Sequence, residues 1–223
     1  MEDKSVPTRR VRVWDLPLRL FHWLLLAGVA TAFYAVKTGN IELHAKAGYC
    51  VLALLIFRLI WGFIGGSNAR FFNFIKGPGA ILSYLRGKTK PHATGHNPLG
   101  ALSVLGLLGV LLLQSITGLF NHSDDYFFDG PLFNKISGEL FGKLNGIHDA
   151  MEYVILGLIG LHILAILFYR LVKRDKLIKP MITGSKDVPA DAATQDATGG
   201  SWWLGLIALA IGLGAIWYIT AGL

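Results

Sequence analysis

Hydrophobic and polar positions fall into long blocks along this chain. Five apolar runs, residues 16–36, 44–64, 98–120, 148–169 and 202–222, each hold about twenty residues and end at Gly, Pro, Asn or a cluster of charge. At about 1.5 Å of rise per residue, a run of that length crosses about 30 Å of hydrocarbon as a helix. The pattern predicts an all-α integral membrane protein with five transmembrane helices. The third run has a clear local start, since Asn97 can cap the free amides and Pro98 suits a first helical turn. The first run has no Ala-x-Ala-like exit, so it is expected to stay as a permanent helix rather than a cleaved signal. No tandem repeat is visible.

Composition agrees with this reading: of 223 residues, 53% are hydrophobic and only 16% charged, against roughly a quarter in a soluble domain. The charge is distributed unevenly. Sixteen basic residues lie before or at the start of the first run, between the second and third, and between the fourth and fifth, at positions such as Lys4, Arg9, Arg10, Arg12, Arg19, Arg70, Lys90 and Arg174. Four, Lys37, Lys46, Lys135 and Lys143, lie on the other side. Short cytoplasmic segments retain Lys and Arg, so the N-terminus is expected inside and, after five spans, the C-terminus outside, in a bacterial inner membrane. A basic collar beside anionic lipid accounts for the net charge of +7 without nucleic acid. The outer loop before the fourth run is acidic, with Asp124, Asp125, Asp129 and Glu139. The single cysteine, Cys50, excludes an internal disulfide, a four-cysteine cluster and covalent c-type haem attachment, which leaves histidine or carboxylate to hold any metal.

Four of the seven histidines, His22, His44, His148 and His162, sit in the apolar runs or at their edges. Ionisable groups are costly in a bilayer and usually face a functional interior. His148 and His162 are fourteen residues apart, which puts them within about 40° of one helix face and about 21 Å apart along it. By depth, His44 pairs with His148 near the outer boundary, and His22 with His162 near the inner one. Two stacked bis-histidine pairs in a helical bundle suit two non-covalent b-type haems, with both axial positions filled and no open site for substrate. Gly48, one turn past His44, leaves room for a flat ring. Arg58, fourteen residues past His44, and Arg19, one turn before His22, are candidates to pair with the acidic groups of the inner haem.

Trp14-Asp15-Leu16-Pro17 leading to Arg19-Leu20-Phe21-His22-Trp23, then His44-x3-Gly48 leading to Arg58-Leu59-Ile60-Trp61-Gly62, then His148 and His162, resembles the prokaryotic di-haem cytochrome b family. That family includes the b-type subunit of membrane-bound Ni,Fe-hydrogenases, and the resemblance spans about residues 11 to 182. It implies a four-helix haem-binding core, axial ligation by His22, His44, His148 and His162, and electron exchange between the quinone pool and another redox protein. The organisation expected is a four-helix domain over 1–182, a flexible cytoplasmic linker rich in Ala, Asp, Thr and Gly over 183–201, and a fifth helix over 202–223 that lies outside the resemblance and contains no histidine.

Other features receive plainer expectations. Residues 77–87 suit a short helix lying in the inner interface. His92 and His96 are expected to be solvated in the inner loop, and His122 in the outer one. Gln114 and Thr117 could touch a quinone headgroup but more commonly join helices. Trp202, Trp203, Trp217 and Tyr218 suit interfacial anchors. The acidic outer loop could steer a basic c-type cytochrome. The function expected is electron transfer between quinone or quinol and a periplasmic redox partner, most plausibly a c-type cytochrome. The alternatives are hydrogenase anchoring, or direct action on a small oxidant such as superoxide near Lys46 and Lys143.

Overall fold

The computed structural model describes residues 7–88, 95–192 and 194–221. The expectations for Lys4, Lys90, His92 and the last residue of the fifth run, Gly222, fall outside them.

Among the described residues five helices are long and apolar enough to span a bilayer: α1 (Leu16–Lys37), α2 (Ile41–Ile64), α5 (Pro98–Gly118), α6 (Gly138–Leu171) and α8 (Trp202–Ala221). Each capping residue acts locally as its type suggests. Asp15 accepts from Leu18 N at 2.8 Å, Asn40 from Leu43 N at 3.0 Å and Asn97 from Gly100 N at 2.8 Å, and Pro17 and Pro98 sit in first turns. Short helices α3 (Phe71–Phe74) and α4 (Pro78–Leu85) lie between α2 and α5, α4 falling where a short helix is expected, and α7 (Ile178–Thr183) follows α6.

The fourth span differs most from its expectation. Helix α6 runs for 34 residues, about 51 Å, and begins at Gly138 rather than at His148. Gly142, Asn145 and Gly146 look like loop residues. The turn instead propagates through Leu140, Phe141, Leu144 and Ile147, and Lys143 pairs with Glu139 at 2.8 Å one turn back.

Helix α2 is the hub. It packs on α1, α5 and α8, and half of its apolar window is buried. The fifth span is therefore no appendage. Gly205, Ala208, Gly212 and Ile216 form its buried stripe. An added Cβ on Gly212 would lie 2.4 Å from the Ala53 carbonyl, so only glycine admits this approach of α8 to α2. Gly205 fits in the same way against Pro17.

Residues 183–200 also depart from the flexible tether that their composition suggests. Strand β4 (Ser185–Pro189) pairs antiparallel with β1 (Thr8–Arg12), from Thr8 opposite Pro189 to Arg12 opposite Ser185. Beyond it, Ala197 N bonds to Arg12 O at 2.8 Å, and Ser67 N to Thr198 O at 2.8 Å. Arg9 and Arg12 donate to the carbonyls of Thr194 and Ala197. Ala/Asp/Thr/Gly composition fails to signal order here because the partners are backbone groups more than 130 residues away. The segment is a strap that joins α1, the α2–α3 turn and α8. At the opposite end, β2 (His122–Ser123) and β3 (Phe128–Asp129) form a small hairpin between α5 and α6.

Candidate functional site

The four membrane histidines follow one register. Val29, Val51 and Ile155 meet in a single apolar cluster with Leu55 and Leu111. His22 precedes Val29 by seven residues, His44 precedes Val51 by seven, and His148 and His162 flank Ile155 by seven on either side. Seven residues are about 10.5 Å and return to nearly the same helix face. Consecutive spans run antiparallel, so this register sets two levels: His44 with His148 above the cluster, and His22 with His162 below it. Arg58, seven residues past Val51, stands at the lower level. On α6, Ile155 alone is buried, at 2% exposure, while all four histidines are half-buried.

At the upper level the imidazoles of His44 and His148 are 6.2 Å apart by ring centroid and nearly perpendicular. His44 Nδ1 lies 2.9 Å from Ala32 O, and His148 Nδ1 lies 3.0 Å from Gln114 O. A carbonyl can only accept, so both Nδ1 atoms carry the proton and both Nε2 atoms are left basic. This is the orientation by an outer partner that a metal-ligating histidine requires. An imidazole–metal bond is about 2 Å, so rings this far apart can share one metal. Gly118 makes room for the His148 ring, since a Cβ there would sit 3.0 Å from His148 Cε1. A Cβ added to Gly48 would meet nothing within 4 Å, which leaves open space beside His44.

Gln114 and Thr117, weighed above as quinone contacts, serve His148 in the structure. Thr117 Oγ1 is 3.2 Å from His148 Nδ1, and the Gln114 amide donates to His148 Nε2 at 3.1 Å. Ligation by His148 requires that amide to yield, and Gln114 Oε1 is a buried acceptor without a partner. Lys37 of α1 and Glu152 of α6 close this level with an ion pair at 2.6 Å.

The lower level is built differently. His22 Nδ1 is buried and has no hydrogen-bond partner among the described residues. By register His22 and His162 share this level, seven residues below Val29 and Ile155. Arg58 is 2% exposed, donates to Ala69 O at 3.1 Å, lies 4.7 Å from the Phe71 ring centre and keeps Nη1 buried and unpartnered. Arg19 turns to the strap instead, where it donates to the Ile182 carbonyl and lines a cleft of about 630 Å³ with Arg12, Gly184 and Trp202. Asp15 explains the Trp-Asp-Leu-Pro motif physically: beyond capping α1 it accepts from Trp61 Nε1 and Gly66 N, both at 3.1 Å, locking the start of α1 to the end of α2.

Two sequence expectations change, and that for His122 gains partners. His96 is not solvated: its ring lies between Trp14 and Phe74, with centroids 4.7 and 4.6 Å away, and burial, then the nearby Arg58 charge, lowers its pKa to about 3. His122 is clasped by Asp129 at 2.6 Å and Asp124 at 3.1 Å and stacks on Phe133; the Asp129 bond foremost raises its pKa. Lys46 and Lys143, the basic pair considered for a small anionic oxidant, are each engaged by a carboxylate one turn earlier on their own helix, Glu42 and Glu139. Ala32, Gly118 and His96 were missed as site residues. Of these, Gly118 carried a weak signal, as a glycine at the end of an apolar run level with His148.

Among the described residues no group of three or more His, Cys, Asp or Glu gathers as a conventional metal site. What the bundle offers is two-histidine levels separated by an apolar layer, in a membrane protein of five spans. A family model for prokaryotic cytochrome b561 matches residues 13–184, and the chain belongs to that family. It is thus a membrane b-type cytochrome, and the family implies b-type haem. Two curated relatives, both named "Probable Ni/Fe-hydrogenase B-type cytochrome subunit", are similar along most of their length. The one from Rhizobium leguminosarum bv. viciae is 25% identical over 222 residues, covering 82% of this chain and 92% of its own. The one from Azotobacter vinelandii is 26% identical over 220 residues, covering 82% and 91%. No solved structure matches the chain.

Proposed function

We propose that this protein carries electrons across a bacterial inner membrane between the quinone pool and a redox subunit on the His44 side, with two b-type haems held by His44/His148 and His22/His162. The observation that carries the reading is the shared register: ligand pairs above and below Val29, Val51 and Ile155, with the upper rings 6.2 Å apart and their Nδ1 atoms turned to carbonyls. When bound, a b-type haem supplies a one-electron couple that needs no open coordination position. The chain's own contributions are distinct. Ala32 O and Gln114 O hold the upper imidazoles in one tautomer, the Ile155 layer keeps water and polar groups out of the span between levels, and Arg58 offers a buried positive charge beside the lower pair.

The basic segments lie at the His22 end, so positive-inside retention supports an inside N-terminus and an outside C-terminus. The partner on the His44 side meets the acidic hairpin that carries Asp124, Asp125 and Asp129. The names of the two relatives favour a hydrogenase-type subunit there, and a lysine-rich c-type cytochrome is the alternative the acidic loop would also steer. A reduced-minus-oxidised spectrum with haem quantification tests the core of the reading. Two haems per chain are expected, with loss on replacing any one of the four histidines by alanine. Retention of both haems in His22→Ala or His162→Ala removes the lower pair.

A further inference from the structure

A guanidinium at 2% exposure with no carboxylate in ion-pairing range is an uncompensated charge, and such charges are costly inside a protein. Arg58 is in that position among the described residues. Its nearest acid, Asp15, already spends its two oxygens on Leu18 N, Trp61 Nε1 and Gly66 N. Close to Arg58, the ring of His96 is fixed between Trp14 and Phe74, and among the described residues its Nδ1 is buried without a partner, as is Arg58 Nη1. Two unpartnered side-chain nitrogens from separate elements, one of them on a permanent cation, thus border the same aromatic cluster of Phe71, Phe74 and Trp14, and Arg58 itself stands at the His22/His162 level by its register. Such a pair recognises an anion with at least two acceptor atoms. His96 stays neutral beside Arg58, since burial and that charge hold its pKa near 3, so it can serve as a plain N–H donor.

We propose that Arg58 and His96 form a carboxylate pocket that takes an acidic side group of the cofactor bound by His22 and His162. The proposal rests on the haem reading above and adds a specificity element to it: the lower site selects a porphyrin for its carboxylates.

The test uses the full chain produced without haem and titrated with iron protoporphyrin or with its dimethyl ester, which lacks free carboxylates, in a His44→Ala background that isolates the lower site. Iron protoporphyrin is expected to bind about tenfold to hundredfold more weakly to Arg58→Met, and about twofold to tenfold more weakly to His96→Phe, which keeps the aromatic sandwich. The ester is expected to bind the unsubstituted and substituted chains alike. Arg58→Met is also expected to melt at a higher temperature than the parent when both are free of cofactor, an outcome that a purely structural arginine would reverse. Equal binding of acid and ester by the parent overturns the pocket, as does unchanged affinity in both variants. Stabilisation of the haem-free parent, but not of Arg58→Met, by millimolar acetate together with equal acid and ester binding assigns the site to a free carboxylate and overturns the cofactor role. If Arg58→Met does not fold, the ester comparison and His96→Phe decide. A chain with intact histidines that takes up no haem sinks the functional reading and this pocket together, while two haems bound without discrimination against the ester sink the pocket alone.

Discussion

The two histidine levels use the same residue type at the same helical register, yet the protein prepares them by opposite means. At the upper level, main-chain carbonyls of α1 and α5 orient both imidazoles, the rings stand 6.2 Å apart, and the Lys37–Glu152 pair ties α1 to α6 beside them. At the lower level, His22 Nδ1 has no partner and a buried arginine is left uncompensated. Preorganised ligands lose little freedom on binding, whereas an unsatisfied polar set is stabilised by the ligand itself. On the two-haem reading, the upper imidazoles would be oriented by the fold once the Gln114 amide yields His148 Nε2, and the lower site would be completed by fold and cofactor together. Extraction or dilution is expected to strip the haem of the His22/His162 pair first, and spectra of partly depleted protein would reveal the order.

The comparison can be broken most sharply by removing ligands one at a time. His44→Ala and His148→Ala are expected to cost one haem each and leave the lower site loaded, with the reverse for His22→Ala and His162→Ala, as read by pyridine haemochrome quantification. A single substitution that empties both levels would show that they do not fold as separate units. Truncating the divider comes next. Ile155→Ala removes the one buried side chain of α6, and loss of about 2–5 kcal/mol is expected from the cavity, measured by thermal unfolding in detergent. Gly118→Ala is a smaller intervention confined to one level. Its Cβ would press His148 at 3.0 Å, so occupancy of the upper site is expected to fall while the lower is unchanged.

Acidity separates the two ends of the molecule through histidines outside the two membrane pairs. His96, packed between Trp14 and Phe74 close to Arg58, has a folded pKa of about 3 against 6.5, so the unfolded chain binds the extra proton. Its contribution is present above pH 6.5 and is lost as pH falls toward 3. His96→Phe should flatten acid unfolding in that window. His122, in the hairpin at the upper end, has a raised pKa because Asp129 and Asp124 favour its charged form. Its contribution is full below pH 6.5 and fades as pH rises through the folded value. The smallest effect expected here is faster amide exchange across residues 122–129 at alkaline pH, abolished in Asp129→Asn.

Local signals served the spans well and the connections poorly. Apolar blocks with Asp15, Asn40 and Asn97 at their starts correspond to helices because caps and burial length act over a few residues. The start of α6 was missed since Gly142 and Gly146 outweighed an apolar stripe that continues ten residues upstream of His148. The strap was missed for another reason. Ser185–Pro189 has no strand pattern of its own strength, and it is ordered only by pairing with Thr8–Arg12.

Taken alone, the amino-acid order determined the number of spans, the seven-residue spacing that the histidines share, and the likeness to a prokaryotic cytochrome b. Those properties follow from periodicity along single helices, where seven or fourteen residues fix both rise and facing. Only the tertiary structure decided which atoms are satisfied. Whether an imidazole meets a carbonyl, whether Arg58 finds a carboxylate, and whether Gly212 lets α8 rest on Ala53 depend on neighbours distant in the chain. Hydrogen bonds and close packing are pairwise and act within a few ångströms, so no register on one helix can settle them.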